Sequence, residues 1–197
     1  MASLQDHWAA SCSWESYPWK NELATQAERV EQHFAEVLDD NFESEWSPLH
    51  MLERALVLSA FAMRRMVEKR LVTDELKART YRFTTYLAAN AYRSPAHGST
   101  GGQVFRNYRL GEPTGLRLRI ADLANEIIHS SQLLVIYGPG NPSTGLLIAS
   151  DWNMQKRIIH LTIEEFRDSV DVVLNDRVTH AIDSWDSETN TVRSTRE

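Results

Sequence analysis

The sequence predicts an α+β fold that is mainly α: a helical domain with a small three-stranded antiparallel β-meander before the last helix. Three observations predict it. Long stretches at 20–42, 48–71 and 116–130 carry apolar residues at helical spacing. Three short apolar runs, at 132–137, 145–150 and 156–162, are separated by turn-forming residues. The string Thr162-Ile163-Glu164-Glu165 is a capping-box signature, and a further helical pattern follows it.

The elements follow in chain order. Residues 1–19 form an arm that is polar yet holds Trp8, Trp14, Tyr17 and Trp19, rings that are costly to leave in water. The globular domain is expected over 20–182. Its first helix, 20–42, turns Leu23, Ala27, Val30, Phe34, Val37, Leu38 and Phe42 inward and Glu28, Glu31, Glu36 and Asp39 outward. The second, 48–71, starts from Ser47 as N-cap and Pro48 at the first helical position. Leu52, Leu56, Ala60, Met63, Met66 and Val67 run along one side of it. Thr73 caps a short turn of helix at 74–78. From Thr80 to Leu87, alternation with Thr, Tyr and Phe suits a strand, and a helix continuing through Ala91 is the alternative.

Residues 94–115 read as the main loop, with Gly98, Gly101, Gly102, Gly111 and Pro113. The Gly-rich part lacks the Gly-Lys-Ser/Thr ending of a phosphate loop. Residues 116–130 then read as an amphipathic helix. Leu116, Ile120, Leu123, Ile127 and Ile128 line its inner stripe, and Arg119, Asp122, Asn125, Glu126 and His129 its outer one. Residues 138–144, rich in Gly and Pro, join the first two strands. The last helix faces Ile163, Phe166, Val170, Val173, Leu174 and Val178 inward. Residues 183–197 read as a polar C-terminal tail that frays.

Composition narrows the function classes. The 197 residues carry a formal charge of −6, which argues against a chain whose main task is to coat nucleic acid; RNA is not a favoured partner. The single cysteine, Cys12, permits no intrachain disulfide and suits a reducing compartment. The N-terminus shows no basic patch followed by an apolar run, and no stretch nears the ~18 apolar residues of a spanning helix. A cytoplasmic protein without membrane contact is expected. It would act on a protein partner or as a homo-oligomer such as a homodimer.

Candidate chemistry gathers on the helix at 116–130. Asp122, Asn125 and His129 share one helical face, three and four residues apart. A histidine held by Asn or Asp can serve as general acid or base near neutral pH. Glu126 and His129 also form a Glu-x-x-His pair, but no second pair occurs on a predicted helix. No His-Glu-x-x-His and no paired cysteines occur either, so neither metal nor cofactor is expected. A small-ligand site between meander and helices, using Trp152 and His160, is a further possibility.

The string Ala124-Asn125-Glu126-Ile127-Ile128-His129 resembles the signature of HEPN-domain proteins, all-helical, nucleic-acid-associated modules often found in toxin–antitoxin and phage-defence systems. Active members carry an Arg a few residues before the His, commonly as Arg-Asn-x-x-x-His. Asn125 and His129 match, whereas Ala124 stands at the arginine position and Arg119 lies ten residues before His129. The resemblance implies a degenerate ribonuclease or a helical partner-binding module. In the ribonuclease, His129 would be the acid or base and Asn125 would orient it. Arg119, Arg64 or Arg65 would supply the cation. The segments Leu52-Glu53-Arg54-Ala55-Leu56 and Leu123-Ala124-Asn125-Glu126-Ile127-Ile128-His129-Ser130, followed by the strands, are also similar to bacterial helical proteins of uncharacterised function. That likeness implies a bacterial cytoplasmic origin.

Overall fold

The computed structural model describes residues 15–38, 47–89, 106–136 and 144–197. The aromatic arm through residue 14, the Gly-rich loop at 98–102 and residues 138–143 lie outside the described residues, as does Phe42.

Among the described residues, five helices and seven strands are defined: α1 (Ser16–Leu38), α2 (Pro48–Glu68), α3 (Asp74–Ala78), β1 (Thr80–Leu87), β2 (Thr114–Arg119), α4 (Ile120–Ile128), β3 (Ser130–Ile136), β4 (Gly145–Ser150), β5 (Arg157–Thr162), α5 (Ile163–Asn175), β6 (Ala181–Asp186) and β7 (Thr191–Arg196). This corrects the expectation of a mainly helical domain with a three-stranded meander. The meander is there as β3-β4-β5, but it is part of a five-stranded antiparallel sheet of order β2-β1-β5-β4-β3.

The reason for the error is local. Leu116 and Ile120 sit at helical spacing, which drew 116–119 into the helix that follows. In the structure Leu116 and Leu118 alternate inward with period two and pair with Phe83 and Tyr81 of β1. The helix begins only at Ile120. The ambiguous segment 80–87 is a strand, held between β2 and β5. The tail expected to fray carries a second, two-stranded sheet, β6-β7, tied to α3 by the Arg196 N–H donating to Asp74 at 3.0 Å. Ile182, Trp185 and Val192 on this hairpin remain more than half exposed.

One face of the large sheet carries the helices. Leu146 and Ile148 of β4, Ile159 and Leu161 of β5 and Phe83 of β1 point into the same cluster as Leu23, Leu52, Met63 and Leu123 from the helices. α1 and α2 pack on each other, and α4 lies between α2 and the strands β2 and β4. Alternate strand residues, Leu147, Ala149 and Ile158, form a smaller cluster on the opposite face with Tyr108. The capping box at α5 forms as its sequence requires: the Glu165 N–H donates to Thr162 Oγ1 at 3.0 Å, and the Glu165 carboxylate accepts from the Thr162 N–H at 2.9 Å.

The end of α2 stores a small strain. The Leu71 N–H donates to the Met66 carbonyl and the Arg70 N–H to that of Val67, a Schellman arrangement. It forces Arg70 to a φ of 56°, a left-handed conformation that costs a non-glycine residue about 1 kcal/mol. Arg70→Gly is therefore expected to raise stability by about 0.5–1 kcal/mol, read from the midpoint of urea unfolding. A loss of stability would mean that the Arg70 side chain contributes more than its backbone costs.

Candidate functional site

α4 is set by its two ends. At its start, Asp122 accepts from the Arg119 backbone N–H at 3.3 Å and from its guanidinium at 2.8 and 3.0 Å. These hydrogen bonds first, and the Arg119 charge with them, hold the Asp122 carboxyl below its ordinary pKa against a smaller desolvation effect. At its end, the His129 N–H donates to the Asn125 carbonyl at 3.1 Å, and the His129 carbonyl accepts from Asp151 N–H at 3.1 Å. That second bond anchors the turn after β4 to the helix terminus. Trp152, the next residue, falls against the His129 ring in an edge-on contact, with centroids 4.6 Å apart and planes at 65°.

Glu126 faces the sheet. Its side chain is 6% exposed and accepts from three donors. These are the Arg157 guanidinium at 2.7 Å, Asn153 Nδ2 at 2.6 Å and the Ser150 backbone N–H at 3.2 Å. A buried carboxylate needs this many partners, because its desolvation is offset only when its lone pairs are filled. The tight turn at 151–156 supplies one of them, Asn153, and the strand residues that flank it, Ser150 and Arg157, supply the other two. The Asn153, Met154, Lys156 and Arg157 backbone amides close it through bonds to Ser150 and Asn153 carbonyls, which brings Asn153 and Arg157 back over the helix.

Between helix and turn lies a cleft of about 260 Å³, lined by Asp122, Asn125, Ser150, Trp152, Asn153 and Arg157 among others. Two polar atoms of these lining residues, Asn125 Oδ1 and Arg157 Nε, are buried without a hydrogen-bond partner among the described residues. Such orphans cost about 1–3 kcal/mol each in a finished core. Trp152, in contrast, stands 62% exposed at the rim.

The structure thus brings Asp122, Asn125 and Glu126 to one cleft and places Arg119 beside Asp122; His129 is not among the cleft's lining residues and meets Trp152 at its rim, and Glu126, expected on the outer stripe, is buried against the sheet. Arg64 of α2 comes to His129: its Nη1 stands 3.5 Å from His129 Nε2, while its Nε donates to Glu68 at 2.6 Å. Arg65 instead lies over the Trp19 ring, 5.9 Å from its centroid. Trp152 and His160 do not share a site. His160 lies between Ile159 and Leu161 in β5, so it points to the sheet face away from the helices, near Tyr86. Arg157, Asn153 and Ser150 escaped sequence reasoning, since a fold-back across 24 to 31 residues leaves no local periodic signal.

A larger trough of about 670 Å³ lies where the start of α1 meets 69–71 and the β6-β7 hairpin. It holds no orphaned buried polar atom among the described residues. Among those residues no three His, Cys, Asp or Glu side chains converge to hold a metal ion, and no helix is long and apolar enough to cross a membrane. Comparison with protein-family models, with curated proteins and with solved structures finds no match.

Proposed function

We propose that the chain is a non-enzymatic interaction or regulatory module of a bacterial cytoplasmic system, of the kind found in toxin–antitoxin or phage-defence pairs, and that it engages its partner at the cleft beside α4. The supporting observation is the state of the α4 carboxylates. Glu126 is filled by three donors and Asp122 by one guanidinium, so neither is placed to move a proton. The exposed group at the rim is a tryptophan, a residue type that anchors interfaces. The test pairs co-purification with products of the adjacent genes and an RNA-cleavage assay over several pH values. Trp152→Ala is expected to weaken the association at least about tenfold, with RNA left intact by every form. Association that survives Trp152→Ala unchanged would count against the reading.

One observation favours a second reading, a HEPN-like metal-independent ribonuclease. The cation that Ala124 removes from the motif has a substitute in Arg64, 3.5 Å from His129. Here His129 is the general acid or base, Asn125 orients it, and Arg64 or Arg119 stabilises the phosphate. RNA cleavage that falls about 10²–10⁴-fold in His129→Ala would establish it over the first reading. Intact RNA with the wild-type chain, alone and with its partner, removes it.

A further inference from the structure

We infer that the groove between α1 and α2 is a binding site for a small molecule that carries a terminal phosphate. The groove shares no lining residue with the cleft beside α4, so the inference goes beyond the interaction reading. α1 and α2 pack along each other. On one side of their seam a groove of about 390 Å³ opens between Gln26, Arg29 and His33 of α1 and Met51, Arg54 and Ala55 of α2. Its floor is closed, with Gln26 4% and Ala55 2% exposed. A volume of this size falls in the range of small-molecule sites, roughly 300–1,000 Å³.

The spacing of charges along the two helices makes this groove cationic. A helical arginine can pair with a carboxylate three or four residues away, as Arg64 does with Glu68 and Arg119 with Asp122. Arg29 has Thr25, Gln26, Gln32 and His33 at those positions, and Arg54 has His50, Met51, Val57 and Leu58. None of these is acidic. Both arginines are exposed, and neither forms an ion pair with a described carboxylate. No described Asp or Glu lines the groove. The carboxylates on the same stretch of α1 are already engaged: Glu22 accepts from Gln26 at 2.8 Å, and Glu36 accepts from Gln32 at 2.8 Å and lies 2.7 Å from His33 Nδ1. That last contact holds the His33 ring and leaves Nε2 as the ring nitrogen for a ligand.

Two guanidiniums brought to one groove repel each other, and an anion between them removes that cost. Each is a planar fork of donors that matches phosphate geometry and reaches it from solvent, because both side chains are exposed. Two such groups match a dianion. A phosphomonoester carries close to two charges near neutral pH, whereas a carboxylate or a backbone diester carries one. A nucleic-acid strand is held by a run of cations along its backbone. The groove offers two arginines in a chain of charge −6, which selects a single terminal phosphate, and Met51 gives the rest of the molecule an apolar wall.

The experiment titrates the full chain by calorimetry, at constant ionic strength, with inorganic phosphate, glucose 6-phosphate, adenosine 5′-monophosphate and a 5′-phosphorylated RNA oligonucleotide. Glucose and adenosine are the controls without phosphate. Saturable binding of at least one of the two small phosphomonoesters is expected, and none of glucose or adenosine. Arg29→Gln and Arg54→Gln should each weaken it by about tenfold to a hundredfold, the worth of a hydrogen bond to a charged group. Arg54→Lys keeps the charge without the fork and should weaken it less than Arg54→Gln. Arg117→Gln removes the same charge from an exposed arginine on β2 and should leave binding unchanged. Urea midpoints equal to that of the unaltered chain confirm that the variants fold. Absence of binding by both monoesters at millimolar concentration overturns the inference, whether or not inorganic phosphate binds. So does equal weakening by Arg29→Gln, Arg54→Gln and Arg117→Gln, which would mean a general effect of charge. Tighter binding of the RNA oligonucleotide than of either monoester overturns the assignment to a small molecule.

Discussion

Replacing Glu126 by alanine is expected to destabilise the protein by about 3–5 kcal/mol, the cost of removing one partner from a buried ion pair. The carboxylate is the node that joins α4 to the sheet. Its removal strands the Arg157 guanidinium, 22% exposed, leaves the Ser150 N–H without its acceptor, and leaves Asn153 Nδ2 only its 3.3 Å bond to Ser150 Oγ. The stranded charge dominates the loss, because a buried unpaired ion costs several kcal/mol while each neutral orphan costs about 1–3 kcal/mol. Urea unfolding followed by circular dichroism measures it. Glu126→Gln keeps the shape and one acceptor oxygen and should lose less. The double change Glu126→Leu with Arg157→Leu removes both charges together and should recover much of the deficit, since a hydrophobic pair of similar volume often replaces a buried ion pair without loss. A single-variant loss below about 1 kcal/mol would show that water reaches the carboxylate and that the node is not structural.

The same residue shows what the sequence discloses. Asp122, Asn125, Glu126 and His129 were readable as neighbours because a helix repeats every few residues, and spacing alone puts them on one side. Which of them meets water was misread: Glu126, expected on the outer stripe, is 6% exposed. Glu126 sits at the seam between α4 and the turn after β4, and that seam is created by strand pairing between segments far apart in the chain. The N-terminal half of the fold was legible for the same reason: Leu52, Met63 and Met66 mark a buried stripe that any packing partner would cover. The sheet was only half legible. β3, β4 and β5 announce themselves as apolar runs between turns. β1 showed only an alternation that left a helix open as the alternative, and β2 was missed, because one face of this pair bears Arg82 and Arg117, cross-strand neighbours that dilute the hydrophobic signal. β6 and β7 are more polar still and pair mainly with each other, so a search for burial passes them by.

In the last helix local and tertiary information agree from Ile163 to Asn175, although Val178, expected inward on it, lies beyond its end, and this helix carries the second large effect. Phe166→Ala is expected to cost about 3–5 kcal/mol, the usual range for emptying a phenylalanine site in a core. Phe166 is fully buried on α5, in the cluster shared by α1, the sheet and Val170 and Val173 of its own helix. For a chain of this size the loss corresponds to a fall in Tm of roughly 10 °C. Phe61→Ala is the control. That ring is 49% exposed and lies 6.0 Å from the Trp19 ring, so its loss should be below about 1 kcal/mol. A second contact also joins α1 to α5: Arg167 donates to both Glu31 oxygens at 2.8 Å, which holds the Glu31 carboxyl below its ordinary pKa. A depressed carboxyl pKa contributes stability above the unfolded value and loses it as pH falls through the folded one. The pair is exposed and its contribution is screened, so packing decides whether α5 docks. The deficit of Phe166→Ala should accordingly persist unchanged from neutral pH down through the carboxylate range, whereas any deficit of Arg167→Ala should fade there. A Phe166→Ala deficit that shrinks with acid would place the helix's anchorage in the ion pair instead of the core.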